Sequence, residues 1–229
     1  MSLVIAQNLR LIRDRMAKAA SRVGRNPTEI KLVAVTKNVP VLEINQAIEA
    51  GITDIGENRV QEMRKKFGKL GNAVTWHFVG HLQTNKVKYI IDFVELIQSV
   101  DSLKLAQEIQ KRAQKANRIQ KVLVEVNVSR EESKFGIDPQ KLVSFMKEIA
   151  KLDHIVVKGL MTLAPLVEDT EEIRPVFRTL RELGEHVKEL NLSRVEMEYL
   201  SMGMTNDFEI AIEEGSNMVR IGTGIFKGD

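Results

Sequence analysis

Lys31-Leu-Val-Ala-Val-Thr-Lys37, followed by Asn38-Val39-Pro40, is the stretch on which the reading of the fold turns. Leu32 through Val35 form a continuous apolar run rich in β-branched residues, the pattern of a strand buried on both faces. Pro40 suits the first turn of a helix, where its missing N–H is not needed. Lys37 then sits at the carboxyl end of a buried strand, before a short loop into a helix. Open α/β sheets and (β/α)8 barrels place their chemistry there. A lysine held beside apolar walls has its pKa lowered, and the neutral amine can form a Schiff base with an aldehyde or ketone. The plain alternative is a surface lysine at a loop start.

Outward from this stretch the same unit repeats. Before it, residues 1–24 read as an amphipathic helix with Ile5, Leu9, Ile12, Met16, Ala20 and Val23 on one face. After it, helical segments are expected at 41–50, closed by Gly51, and at 59–70, 84–91, from a cap at Asp101 or Ser102, around 142–152, at 169–190, and around Phe208. Strands are expected at 54–58, 75–80, within 93–100, at 121–128, 156–162, 198–202 and 218–222. Eight short strands alternating with helices imply parallel pairing and right-handed crossovers. The expected fold is a (β/α)8 barrel occupying residues 1–229 as one domain. A doubly wound open sheet is the runner-up, but no glycine-rich fingerprint follows the first strand.

Composition narrows the function classes. With 229 residues the chain can bury roughly three quarters of its unfolded surface. The 34 basic and 31 acidic residues are evenly spread, so the net charge of +3 does not indicate a nucleic-acid binder. The densest basic cluster, Arg64-Lys65-Lys66 with Lys69, reads as a solvated helix face. Zero cysteines exclude disulfides, thiolate zinc sites and a cysteine nucleophile. Arg10, Arg13, Asp14 and Arg15 interrupt any signal-peptide core, and no apolar run approaches the ~20 residues of a membrane span. The expected setting is soluble and cytoplasmic, without membrane contact.

Two loops and one arginine carry the chemistry. The loops after strands seven and eight, a frequent phosphate site in barrels, read Ser201-Met-Gly-Met-Thr-Asn-Asp207 and Ile221-Gly-Thr-Gly224. Glycines admit close backbone approach while hydroxyls and amides donate to phosphate oxygens, although glycines also simply turn barrel rims. Strand alternation puts Met218, Arg220 and Gly222 on one face, which points Arg220 into the barrel. A buried arginine needs a partner. That partner is either a carboxylate such as Glu57, Glu125 or Glu198, or a ring nitrogen or carboxylate of a ligand. A Schiff-base lysine, a phosphate cradle and an inward arginine together suggest pyridoxal phosphate. His77 and His81 bracket a strand, where four residues span about 13 Å, so one metal cannot take both. His154 and His186 look like ordinary surface positions, and no catalytic triad or carboxylate pair stands out.

Taken together, the motifs resemble the pyridoxal-phosphate homeostasis proteins, relatives of the barrel domain of bacterial alanine racemase. The matching pieces are Leu32-Val-Ala-Val-Thr-Lys37, Gly56-Glu-Asn58, Trp76-His-Phe-Val-Gly-His-Leu-Gln-Thr-Asn-Lys86 and Ser99-Val-Asp101. Further along come Val126-Asn127, Glu132-Ser-Lys134 with Gly136, Gly159-Leu-Met161, Leu200-Ser-Met-Gly-Met204 and Met218-Val-Arg-Ile-Gly-Thr223. The resemblance implies a fold-type III pyridoxal-phosphate barrel with Lys37 carrying the cofactor as an internal aldimine. It implies Arg220 facing the pyridine nitrogen, Ser201, Gly222 and Thr223 holding the phosphate, and Asn58, His81 and Met161 lining the pocket. Departures are Thr205 for serine, Gly224 for alanine and Lys227 for a final glycine. The first two keep hydroxyl chemistry and small size.

The resemblance implies binding of pyridoxal 5′-phosphate and a part in vitamin B6 homeostasis, with no catalytic residues and no metal. A permanently protonated arginine beside the ring nitrogen disfavours a pyridinium and weakens the electron sink that carbanion chemistry needs. A second acid/base, placed by the resemblance in a further domain of alanine racemase, is expected to be absent, since only Tyr89 and Tyr199 are available. The alternatives are a small pyridoxal-phosphate-dependent racemase or lyase, and a cofactor-free Schiff-base aldolase. The expected partners are the cofactor and apo-enzymes that receive it, and the expected state is a monomer. Lys134, in the polar loop after strand five, is read either as a solvated lysine or as a transient landing site for the aldehyde.

Overall fold

The computed structural model describes residues 2–131 and 135–228, Ser2 by its backbone alone. Lys134 lies outside the described residues, so its expected role in cofactor exchange does too. Among the described residues eight parallel strands close into a barrel in chain order: β1 (Lys31–Val35), β2 (Asp54–Glu57), β3 (Thr75–Phe78), β4 (Leu96–Val100), β5 (Gln120–Glu125), β6 (Ile155–Met161), β7 (Val195–Ser201) and β8 (Met218–Ile221). Closure is made by β1 on β8, with Val33 paired to Arg220 and Ala34 to Ile221. The barrel expected from the alternating pattern is the one observed, and the open doubly wound sheet is excluded.

Period-two alternation sorts the strand residues into two layers. Val33, Leu96, Leu123, Met161 and Met218 form a small buried cluster inside the barrel. Ala34, Ile55, Trp76, Ile97, Val122, Val124, Leu160, Val219 and Ile221 point outward and join the large core beneath the helices. The helices α1 (Ser2–Arg22), α2 (Val41–Glu49), α3 (Val60–Leu70), α4 (Leu103–Lys115), α5 (Leu142–Ile149), α6 (Arg174–Glu189), α7 (Phe208–Glu213) and α8 (Thr223–Phe226) cover that outer face. Ile5, Leu9, Ile12, Met16 and Ala20 are the buried stripe of α1. Asn8 Nδ2 donates to the Ile225 carbonyl at 3.0 Å, which ties α1 to α8. Of the two caps considered for α4, Ser102 is the one used, its Oγ accepting from the Leu105 amide at 3.4 Å.

Several local expectations are corrected. Val23 lies past the end of α1 and is exposed. The helix expected at 84–91 is a 3-10 segment, Thr84–Tyr89. The helix expected from 169 begins with a separate 3-10 turn, Thr170–Ile173, because Pro175 lacks an N–H and fits only the first turn of α6. β7 starts three residues earlier than its apolar part suggests. Glu196 and Glu198 are tolerated there because Lys158 of β6 donates to both at 2.5 Å. Lys66 is not a solvated position: it is buried and its Nζ lies 2.6 Å from Glu57 Oε1.

Gly159 is the one place in the barrel wall where only glycine works. Its φ is +147°, and a Cβ there would lie 1.8 Å from the Tyr199 carbonyl oxygen. It sits where the β5–β6 and β6–β7 registers both shift, so the missing side chain lets β7 close onto β6.

Candidate functional site

The turn after β1 presents Lys37, and α3 holds that turn in place. The Thr36 hydroxyl donates to Glu57 Oε1 at 2.6 Å, and Lys66 Nζ donates to the Thr36 carbonyl at 2.6 Å. On the other side of Lys37, Asn38 adopts φ 58° and its amide donates to Glu62 Oε2 at 3.2 Å. Both neighbours of Lys37 are therefore anchored while its own side chain is exposed. Apolar Val35, Val39, Pro40 and Phe226 line the same cleft as Lys37, which meets them from an exposed position.

Two adjoining clefts open at this carboxyl mouth. One, about 560 Å³, is lined by Lys37, Asn38, Val39, Gly222, Thr223 and Phe226. The other, about 260 Å³, is lined by Met204, Thr205, Asp207, Arg220, Gly222 and Thr223. Val35, Gly222 and Thr223 belong to both. The β1–β8 closure thus brings Lys37, Arg220, Gly222 and Thr223 to one place. A Cβ on Gly222 would meet the Val35 carbonyl oxygen at 3.0 Å, so the chain here runs close against β1.

Arg220 points into the barrel and is buried, but its direct partners are not the carboxylates considered from the sequence. Nη1 donates to Ser201 Oγ at 2.6 Å and Nη2 to the Thr162 carbonyl at 2.9 Å. Glu57 is taken by Lys66, and Glu198 by Lys158 at the opposite end of the barrel. Glu125 acts on Arg220 only through space, as does Asp207. Burial pushes the guanidinium down to about 10, against the pull of those two acids, so it stays protonated at neutral pH. Burial likewise raises Glu125 to about 7, helped by the nearby charge of Asp101 and opposed by Arg220. Asp207 is also raised by burial, although its carboxylate accepts from the Met204 amide and so closes the loop after β7.

The remaining expected residues stand around this centre. Ser201 is fully buried; its hydroxyl accepts from Arg220 and donates to Gln98 Oε1 at 2.6 Å, so it reaches the clefts through Arg220. Met161 is buried in the interior cluster, and its Cα pairs in register with that of Ser201. Asn58 follows β2 and its Oδ1 is buried without a hydrogen-bond partner. His81 lies at the rim, its Nδ1 3.0 Å from Asp101 Oδ2 and its ring stacked on Phe135 at 3.7 Å. Neither cleft is lined by Asn58, His81, Met161 or Ser201. His77 lies inside the barrel between Asp54 and Gln98 and is no metal ligand in this geometry. No cluster of three or more metal-ligating side chains occurs among the described residues, nor is any described helix long and apolar enough to cross a membrane.

Gln98, Thr162 and Asp207 are site residues that sequence reading passed over. A signal existed for Gln98, a polar residue within the otherwise apolar Leu96-Ile-Gln-Ser-Val100. Such a residue inside a strand buried on both faces requires a partner.

A closed parallel barrel with a strand-end lysine and an inward arginine at its carboxyl mouth defines a class, and the comparisons place the chain within it. The sequence matches the family model for the alanine racemase N-terminal domain over residues 5–229. A pyridoxal phosphate homeostasis protein of Aquifex aeolicus is 46% identical over 222 residues, covering 96% of each chain. One from Haemophilus influenzae is 38% identical over 225 residues, covering 97% of this chain and 94% of the other. A solved structure of PipY from Synechococcus elongatus with PLP bound is 32% identical, with a TM-score of 0.82 over 94% of this chain and 99% of that one. The chain belongs to the pyridoxal phosphate homeostasis proteins of the alanine racemase N-terminal domain family.

Proposed function

We propose that the chain binds pyridoxal 5′-phosphate at the carboxyl mouth, holds it as a Schiff base on Lys37, and serves vitamin B6 homeostasis without catalytic turnover. The observation that carries this is the meeting of Lys37 and Arg220 across clefts that share Gly222 and Thr223. The residues fit the cofactor. Arg220 has engaged two of its five N–H donors in the hydrogen bonds described, which leaves capacity for an acceptor such as an unprotonated pyridine nitrogen. The close approach of Gly222 to Val35 makes a bare backbone rim, and Thr223 adds a hydroxyl for phosphate oxygens. Asn58 Oδ1 is a buried acceptor awaiting a donor.

When bound, the cofactor supplies an aldehyde for the lysine and a ring that can act as an electron sink. Arg220 limits the second property: a protonated guanidinium donates to the ring nitrogen and disfavours its protonation. Gly222 and Thr223 hold the phosphate on this reading. Ser201 contributes by seating Arg220, while Asn58, His81 and Met161 shape the surroundings. The chain would act as a cytoplasmic monomer that hands the cofactor to apo-enzymes.

The test is to load purified protein with the cofactor, record its visible band, reduce with borohydride and map the modified peptide. One modification at Lys37, and loss of the band in Lys37→Ala, is expected; a full band in that variant would sink the assignment. Turnover by the loaded protein on an amino-acid panel would instead favour the racemase or lyase reading.

A further inference from the structure

A line of buried polar side chains runs down the inside of the barrel from Arg220 to the opposite mouth. An arginine can only donate, so Ser201 Oγ accepts from Nη1 at 2.6 Å. The hydroxyl hydrogen is then free for Gln98 Oε1 at 2.6 Å. That sets the amide: Oε1 faces Ser201, and Nε2 faces His77 Nδ1 at 3.0 Å. The ring nitrogen Nδ1 must accept, so Nε2 of His77 carries the hydrogen and donates to Asp54 Oδ1 at 2.9 Å. Asp54 ends the line, receiving the Thr53 hydroxyl at 2.7 Å and Lys31 Nζ at 3.1 Å. Every donor points from the arginine toward the aspartate. Turning the Gln98 amide round would aim an N–H at Ser201 and leave the serine hydrogen without this acceptor, so one orientation satisfies the whole line.

Gln98, His77, Ser201, Arg220 and Asp54 are all buried, and they come from β4, β3, β7, β8 and β2. A chain of like-directed hydrogen bonds in a low-dielectric interior strengthens each member, more so with a cation at the donor end and an anion at the acceptor end. Asp54 is held well below the usual carboxylate range: burial works against it, but hydrogen bonds from His77 and Thr53 prevail. Barrel interiors are more often filled by aliphatic layers. Here the polar line passes among Leu96, Leu123, Met161 and Met218 and bonds Gln98 Nε2 also to Met218 Sδ at 3.3 Å.

We propose that Gln98 and His77 are positioning residues for Arg220. Through Ser201 they hold the guanidinium at the angle that meets the cofactor's ring nitrogen, with Asp54 as the anchor at the far mouth. This rests on the proposed role of Arg220. Without Gln98 the serine hydroxyl can rotate, Nη1 loses its fixed acceptor, and the arginine's aim is lost while the barrel wall stands.

The test compares two ligands: pyridoxal phosphate and its 1-deaza analogue, which has carbon in place of the ring nitrogen. If Arg220 serves that nitrogen, wild-type protein binds the natural cofactor more tightly, and Arg220→Met collapses the ratio of the two affinities. Gln98→Met keeps side-chain length without the amide and is expected to reduce the ratio by about tenfold, as for a lost hydrogen bond to a charged group. Asp54→Asn, milder and less disruptive to folding, is expected to reduce it about two- to threefold. A purely structural role would weaken both ligands together and leave the ratio unchanged. An unchanged ratio in Gln98→Met and Asp54→Asn, with collapse in Arg220→Met, overturns the positioning role alone. An unchanged ratio in Arg220→Met overturns the role of the arginine itself. Nitrogen NMR of His77 in the unmutated, cofactor-free protein adds a check that needs no variant: hydrogen on Nε2 and none on Nδ1 is expected, and the reverse overturns the direction of the line.

Discussion

Glu125→Gln should make the protein more stable above neutral pH and reveal a buried acid at the mouth of the barrel. Glu125 is 4% exposed and is raised from 4.5 to about 7, first by burial, then by Asp101, with Arg220 pulling the other way. The folded state therefore holds this proton more tightly than the unfolded chain does. Below about pH 4.5 the group is protonated in both states and has no effect on stability. Between about pH 4.5 and 7 the unfolded chain releases a proton that the folded protein keeps, so stability is lost over that window and levels off once the buried group ionises as well. At about 1.4 kcal/mol per pH unit, the displacement amounts to about 3 kcal/mol, fully expressed above about pH 8. Glutamine is nearly isosteric and does not titrate. Urea unfolding of both cofactor-free proteins, followed by far-ultraviolet circular dichroism between about pH 5 and 8.5, gives two stability profiles. The wild-type profile should fall relative to the variant by about 2.5 kcal/mol across that range, the first part of the loss lying below about pH 5. Parallel profiles, differing by less than about 0.5 kcal/mol in slope over the range, would refute the reasoning.

Three further outcomes are expected. Lys66→Met leaves Glu57 charged and buried, with a loss of about 3–5 kcal/mol, whereas adding Glu57→Leu should restore at least half of it; additive losses in urea unfolding would count against the pair. Gly159→Ala puts a Cβ 1.8 Å from the Tyr199 carbonyl oxygen, so a loss above about 4 kcal/mol or failure to fold is expected, and a near-native melting temperature would contradict the β6–β7 geometry. Pyridoxal lacking its phosphate should bind far more weakly than the phosphate ester in a fluorescence titration, because the charge-assisted bonds proposed at Gly222 and Thr223 are roughly twice as strong as neutral ones. Equal affinities would remove the phosphate cradle.

How much of this was legible in the chain follows from what each signal depends on. The repeat of apolar strand and amphipathic helix is local, so the eight-stranded barrel, the strand-end position of Lys37 and the inward direction of Arg220 could all be read from periodicity. Period two settles which face a residue takes, whatever lies across the barrel. What faces it is another matter, because the neighbours come from strands far apart in sequence. Arg220 called for a carboxylate or a ligand, yet its direct partners are Ser201 and Thr162, 19 and 58 residues away, which take two of its donors. Lys66 looked like one more solvated lysine, and only the packing of α3 on β2 shows it inside, bound to Glu57 nine residues earlier. Gln98 and His77 lie in separate strands, 21 residues apart. Closing the barrel sets them in one line, because each strand's inward positions meet those of its neighbours only when the sheet curls upon itself.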